Sequence, residues 1–423
     1  MDKKIKILAL GDHPLLPSGV GTQSKYVFEA LLKTGKFKIM SLGGAISHPN
    51  YQTTATPEWG EDFLIKPIDG YGDRVLLRNM IQVWRPDIVW FMTDPRFYEW
   101  LWKSEKEVRP YVPMVYYHVW DNYPAPLFNK TWYDSTDTIA CISKLTYDIV
   151  KEVKGEDSDT HYVPHAVNPE YFKDIRQDAE SKDILKALRK ENNLPEDKFV
   201  FFWNNRNARR KQTGTLLSSY SKLLKKIGTD KTVLLMHTDP RDPHGQPISE
   251  LQKAFEIPDN CFKIHTQKVP PAHLNYLYNL ADCTINIANA EGFGLATLES
   301  LATKTPVVAT MTGGLQEQVY DGENYFGVGI TPVAKSMIGS QATPYIYEDH
   351  VSEEQVVQAM ETMINMPKEE YDSIAEAGYQ HVVNNYNFKI FQKQWVDLMT
   401  SVHERYGSWE SRKNYKNWEL RTL

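Results

Sequence analysis

Cysteine is scarce in this sequence: Cys141, Cys261 and Cys283 are the three in 423 residues, far apart and each set in an apolar run. That spacing excludes a disulfide framework and a zinc knuckle and fits buried thiols in a reducing compartment, so a cytoplasmic location is expected. An excess of basic charge is missing too. Lys and Arg total 48 against 54 Asp and Glu, a formal net charge of −6, which provides no general positive field for a nucleic-acid backbone. No apolar run approaches the roughly 20 residues that span a bilayer, so membrane contact is expected to be peripheral at most. The opening MDKKIKILALGD passes from charge directly into a strand-like run, unlike a secretory signal. A solenoid-type internal repeat is absent as well.

What is present is ordinary globular composition, 41% hydrophobic and 24% charged, in a chain too long for one compact core. Short apolar runs alternate with turn-rich segments and longer helical patterns, which implies an α/β fold with parallel sheets and crossover helices. Candidate strands in the first half are Ile5 to Leu10, Phe37 to Leu42, Ile88 to Phe91, Met114 to His118, Thr138 to Ile142 and His161 to Val163. In the second half they are Phe199 to Trp203, Val233 to Met236, Phe262 to His265, Cys283 to Ile287 and Val307 to Ala309. The stretch from Pro164 to Asp183 has no strand-like run and marks a change of domain near residue 170. Three parts are therefore expected: 1–170, 171–387, and a helical segment 388–423 that packs back on the first part. Ser352 and Gln355 have capping-box spacing, and the pattern beyond them is helical. Gly339 to Asp349 reads as a long loop. In the last segment Trp395, Trp409 and Trp418 suit packing, while Arg412, Lys413 and Lys416 leave open a basic face toward a membrane or polymer.

Three segments carry residue types suited to chemistry. The first strand runs into GDHPLLPSGVGTQSKY, where Gly19 and Gly21 precede a helix expected to begin near Thr22. Glycines there allow close backbone approach and a helix N-terminus favours an anion, although a tight turn without ligand is equally compatible. The strand from Phe199 delivers Arg206, Arg209, Arg210 and Lys211 just before the next helix, the place where open parallel sheets bind ligands. Arg grips phosphate oxygens in pairs and Lys acts as a point charge; a solvated basic turn is the alternative. Further on, TINIANAEGFGLATLESL puts Glu291 on the loop after a strand and Glu299 eight residues later on a helix. Gly292 and Gly294 free backbone N–H groups at that helix start. Leu298, Leu301 and Ala302 mark the helix as mostly buried, where an acid needs a partner or a ligand.

On these motifs the chain resembles glycosyltransferase family 4, retaining group 1 enzymes of the glycogen synthase and mannosyltransferase type. Their GT-B fold sets two Rossmann-like domains face to face across a cleft. The family's two-glutamate motif has seven residues between the acids, as in EGFGLATLE, and its Arg and Lys five positions apart are similar to Arg206 and Lys211. CISK at 141–144, YVPHAVNPEYF at 162–172 and TGGLQE at 312–317 follow in the family's order. The resemblance implies an N-terminal acceptor domain and a C-terminal donor domain. It also implies transfer of a hexose from a UDP- or GDP-linked donor to a glycan, lipid or protein hydroxyl.

Residue by residue, the resemblance assigns Arg206 and Lys211 to the donor diphosphate, Glu299 to the ribose and Glu291 to hydroxyls of the donor sugar. Backbone N–H groups of Phe293, Gly294 and Leu295 would approach the sugar or phosphate, Lys268 and Val269 the base, and Gly19 and Gly21 the donor. His118, in VYYHVWDNYP, would face the transferred sugar. The implied mechanism is same-face attack through an oxocarbenium-like transition state, with Glu291 orienting the sugar rather than attacking it. No cofactor and no metal are expected, and the literal Asp157-x-Asp159 in KGEDSDT reads as a solvated turn. Two departures stand out: His237 to Pro240 replace the family's glycine-rich turn, and Gly19, Val20 and Gly21 replace adjacent glycines. A dinucleotide oxidoreductase is disfavoured because Gly43 and Gly44 follow the second strand where a ribose-binding acid would stand. A nucleotide-sugar-binding protein without turnover, a phosphorylase, an epimerase and a homo-oligomer all stay open. Acceptor choice is expected in loops such as Ile46 to Gly60 and Asp94 to Pro110.

Overall fold

In the computed structural model, the described residues are 3–16, 18–45 and 50–415. They divide into two compact units, one of residues 3–165, 339–345 and 388–415 and one of 166–338 and 346–387. Lys416, Trp418 and the start of the Ile46 to Gly60 loop, residues 46–49, lie outside the described residues.

The sheet of the first unit runs, edge to edge, Thr54–Thr56, Gly60–Pro67, Phe37–Gly44, Ile5–Asp12, Ile88–Thr93, Met114–His118, Thr138–Cys141 and Thr160–Tyr162. Its neighbours are parallel except for the edge pair of Thr54–Thr56 with Gly60–Pro67. The central strands are buried on both faces, which is why they read as continuous apolar runs rather than as alternation. Gly44 ends the second strand because a Cβ there would lie 2.1 Å from Gly70 O, so the glycine serves chain packing.

The helix Phe388–Tyr406 belongs to this unit. Its Trp395, fully buried, meets Trp90 at 6.1 Å and Tyr117 at 4.8 Å in edge-to-face geometry. Gln392 Nε2 donates to Ala30 O at 3.1 Å, and Phe388 packs edge-on to Tyr26. Past the helix, Arg412 pairs with Asp137 at 2.9 Å, both side chains almost wholly enclosed, and Trp409 Nε1 donates to Pro86 O. Arg412, one of the residues considered for a basic face, is therefore committed to packing.

Asp159 corrects the expectation of a solvated turn. It accepts from Arg405 and the Tyr406 hydroxyl, each at 3.0 Å, from His161 at 2.8 Å and from Thr138. Burial pushes its carboxyl up, but hydrogen bonds from His161, Arg405 and Thr138 outweigh that and hold it well below the usual carboxylate range. The acid is an anchor for the end of the C-terminal helix.

The second unit is built on a parallel sheet in the order Phe262–His265, Thr232–His237, Phe199–Asn204, Cys283–Asn286, Val307–Thr310 and Gly327–Ile330. Helices Glu353–Ile364 and Lys368–Asn385 follow, the first opened by a formed capping box of Ser352 and Gln355. The segment Gly339 to Asp349 is not the long loop that its sequence suggests. Ala334–Ile338 and Ile346–His350 pair as an antiparallel hairpin, and residues 339–345 at its turn cluster with the first unit. Ala334–Ile338 is mostly exposed, so no buried face imposes an apolar pattern on it.

Candidate active site

The site residues of the second unit hang on the carboxyl ends of its strands. After Phe199–Asn204 the chain turns through a single 3-10 turn, Arg209–Lys211, that sends its cations in different directions. Arg206, exposed, donates to Asp242 with Nε at 2.5 Å and Nη2 at 3.2 Å, and meets His244 Nδ1 at 2.7 Å. Arg209 holds Glu348 of the hairpin through both guanidinium arms. Arg210 donates to Ala290 O at 2.8 Å and lies 3.5 Å from Glu291 Oε2. Lys211 forms an ion pair with Glu291. The two cations that sequence spacing groups together, Arg206 and Lys211, thus carry separate carboxylate partners.

Lys211 and Glu291 are each 8% exposed. Burial pushes the Glu291 carboxyl up, but the charges of Lys211 and Arg210 overcome it and hold the group below its ordinary value, so it stays ionised. The loop bearing Glu291 is stitched down on both sides. Asn289 N donates to Arg210 O and Gly314 N to Glu291 O, at 2.8 and 2.9 Å. A Cβ on Gly314 would stand 2.5 Å from Gly292 O, so the TGGL segment needs a glycine to lie against EGFG.

Gly294 caps the helix Leu295–Ala302 in the left-handed region, φ 95°, where a side chain would also strike Leu315 at 2.4 Å. Leu295 opens that helix. Phe293 is buried, its carbonyl accepting from Gln318 Nε2 at 2.5 Å and its ring edge-on to Tyr386. On the same helix Glu299 is partly buried and accepts at Oε2 from the Tyr278 hydroxyl at 2.7 Å. Burial raises the Glu299 carboxyl to about 7, and the Tyr278 hydrogen bond pulls against that rise.

Lys268 is exposed and Val269 half-buried, in the turn between Phe262–His265 and the helix Pro271–Leu280. His237 and His265, ending adjacent strands, meet Nδ1 to Nδ1 at 2.9 Å. Burial lowers both imidazoles, His237 to about 4. His237 opens the stretch His237 to Pro240 that departs from the family's glycine-rich turn, and its partner His265 comes from the neighbouring strand.

In the first unit, His118 ends its strand wholly buried, with Nε2 2.7 Å from the Tyr133 hydroxyl and Nδ1 without a hydrogen-bond partner among the described residues. Burial lowers it to about 3, so the ring is neutral. Gly19 opens the helix Gly19–Leu32, three residues ahead of the expected start. Ser18 caps that helix by accepting from Gly21 N at 3.0 Å and donating to Asp12 at 2.8 Å. A Cβ on Gly21 would lie 2.7 Å from Leu16 O, so the turn itself requires that glycine.

Sequence patterning misses Tyr278, Asn204 and Glu348. Tyr278 sits among apolar residues of PAHLNYLYNL and looks like core, and Glu348 lies in a segment read as loop.

Residues 186–381 match the family model described as "Glycosyl transferases group 1". Those residues are a group 1 glycosyltransferase domain. They include Glu291, Glu299, Arg206 and Lys211 and cover the second unit apart from residues 166–185 and 382–387. Among curated proteins, an alpha-monoglucosyldiacylglycerol synthase of Streptococcus pneumoniae is 26% identical over 196 residues, covering 45% of this chain and 42% of that protein. The chain thus spans less than half the length of that relative. Sucrose-phosphate synthase from Thermosynechococcus elongatus superposes with a TM-score of 0.72 at 15% identity, over 95% of this chain and 100% of that one. Anabaena Alr3699/HepE in complex with UDP-glucose does so at 0.68 and 14%, over 94% and 100%. At such identities the likeness is one of fold, the GT-B architecture of two Rossmann-like units, the second of which holds most of the group 1 domain.

Proposed function

We propose that the protein is a retaining glycosyltransferase of family 4 that moves a hexose from a UDP- or GDP-linked donor to a hydroxyl acceptor. The observation that carries this reading is the arrangement of two acids at the carboxyl ends of one parallel sheet. Glu291 is held ionised by Lys211 and Arg210, and Glu299 is held by Tyr278. Lys has three donors, so Lys211 can keep Glu291 and still reach a phosphate oxygen. As the glycosidic bond breaks, charge builds on the leaving diphosphate, and Lys211 with Arg206 lowers the barrier by meeting it. Glu291, already fixed, accepts from donor-sugar hydroxyls, and Glu299 accepts from the ribose. The roles of His118, Lys268, Val269, Gly19 and Gly21 toward the donor rest on the family resemblance.

With cations in that place, we further propose that no metal is required. Three buried free thiols favour a reducing, cytoplasmic setting. Among the described residues no helix is long and apolar enough to cross a membrane. The name of the pneumococcal relative and the UDP-glucose in the Anabaena structure make UDP-glucose the first donor to try.

The test is a thermal-shift panel of nucleotide sugars followed by assay of nucleotide release with and without EDTA. A stabilising donor whose turnover survives EDTA supports the proposal. Tight binding without release under any acceptor would point to a binding protein, and loss of turnover on chelation would remove the metal-free mechanism.

A further inference from the structure

We propose that Tyr278 is a positioning residue for the donor site, its hydroxyl clamping one oxygen of Glu299 so that the other faces the ribose. The inference rests on the assignment of Glu299 to the ribose made above and adds a residue that no sequence motif marks. Asn204 Nδ2, at the end of the strand Phe199–Asn204, donates to the Tyr278 oxygen at 2.8 Å. With that lone pair occupied, the hydroxyl proton is directed at Glu299 Oε2, 2.7 Å away. Among the described residues Oε1 of Glu299 has no protein hydrogen bond, so it is the oxygen left for a ligand.

The clamp is rigid. Tyr278 is fully buried, its ring edge-on to Phe202 at 5.1 Å and to Phe172 at 6.0 Å. Its carbonyl is held by Thr305 Oγ1 at 3.1 Å and Arg176 Nη2 at 3.3 Å, so the helix end cannot rotate without breaking both. A hydroxyl fixed in this way does two things for the acid. It selects the rotamer, and it stabilises the carboxylate over the carboxylic acid. A carboxylate accepts from ribose hydroxyls in charge-assisted bonds, whereas the protonated form offers a weaker acceptor.

Loss of the hydroxyl therefore predicts a pH-dependent defect. Burial and Tyr278 set the Glu299 proton affinity. His237 and His265, which end neighbouring strands, are both held below the ordinary imidazole value, and Glu291 is held below the ordinary carboxylate value. Removing the Tyr278 bond raises the Glu299 midpoint above about 7. A rise of about one pH unit lowers its ionised fraction at pH 7 about fivefold.

The experiment is calorimetric titration of UDP-glucose, or of GDP-mannose should UDP-glucose not bind, into wild type, Tyr278→Phe, Asn204→Ala and Glu299→Gln between pH 6 and 9. The diphosphate of these donors does not titrate there. Melting temperatures check that each variant folds. Tyr278→Phe is expected to weaken binding about fivefold at pH 7 and to regain wild-type affinity near pH 9, with Asn204→Ala giving a smaller shift of the same sign. Glu299→Gln should bind weakly at every pH. A Tyr278→Phe defect of equal size at all pH values, or no defect, overturns the positioning role while leaving the donor site standing. Wild-type affinity in Glu299→Gln overturns the ribose assignment itself, and the clamp with it.

Discussion

Lys211 and Glu291 are each more than nine-tenths buried, and neither would keep its charge there alone. Their pairing makes a prediction with two readouts. Lys211→Ala leaves Glu291, among the described residues, with the Arg210 ion pair at 3.5 Å, and should cost roughly 3 kcal/mol in stability by urea titration. On the folded fraction, kcat should fall about 100-fold, because a donor to the leaving group is gone at the point where charge develops. Glu299→Ala should behave differently. It removes a ground-state contact, so donor KM should rise about tenfold with kcat changed much less, as steady-state kinetics would show. At this scale the two acids and the cations were legible, because loop acids and basic turns at strand ends stand out from an apolar background. Tyr278 was not, since its hydroxyl gains meaning only when the helix Pro271–Leu280 lies beside Leu295–Ala302 and the end of Phe199–Asn204. The separation of Arg206 from Lys211 was hidden for the same reason: Asp242 and Glu291 are 36 and 80 residues from their cations.

Elements buried on two faces announce themselves, and exposed ones do not. Met114–His118, buried throughout, has the bounds its apolar run suggests, whereas Thr54–Thr56 and Ala334–Ile338, mostly exposed, carry no such run. The capping box before Glu353–Ile364 was readable because a cap is a local interaction. The EGFG loop shows the limit. Its glycines suggest a helix start, but why Gly294 must be glycine is a matter of φ 95° and of Leu315, which comes from another segment. Gly294→Ala is accordingly expected to cost about 1–2 kcal/mol in backbone strain alone, with the Leu315 contact adding to it. Circular dichroism melting should show the loss, and donor affinity should fall with it because the same turn carries Glu291.

For the whole chain, the first unit is completed by residues from the far end of the sequence. Trp395→Ala empties a site packed against Trp90 and Tyr117, and should destabilise the unit by about 3–5 kcal/mol in chemical denaturation. Acid should act on the same unit. His118 and His165 are both buried and lowered to about 3, so the unfolded chain binds their protons more readily than the folded one. Their contribution is fully present above about pH 6.5 and is lost as pH falls toward 3. The unfolding free energy should drop by about 1.4 kcal/mol per pH unit for each ring between those limits. Urea titrations from pH 7 to 4.5, compared with His118→Gln, would show a shallower slope in the variant.

By itself the sequence determined the α/β class, the strands of both sheets that lie buried, and the order of motifs that resembles the group 1 glycosyltransferases. These are set by periodicity and short-range spacing, which burial writes into neighbouring residues. Only the tertiary structure decided that Asp159 anchors the last helix, that Gly339 to Asp349 supplies the turn and part of one strand of a hairpin, and that Glu299 is held by Tyr278, itself held by Asn204. Each of those depends on groups brought together across tens to hundreds of residues, and a hydrogen bond over such a distance leaves no pattern in either partner's neighbours.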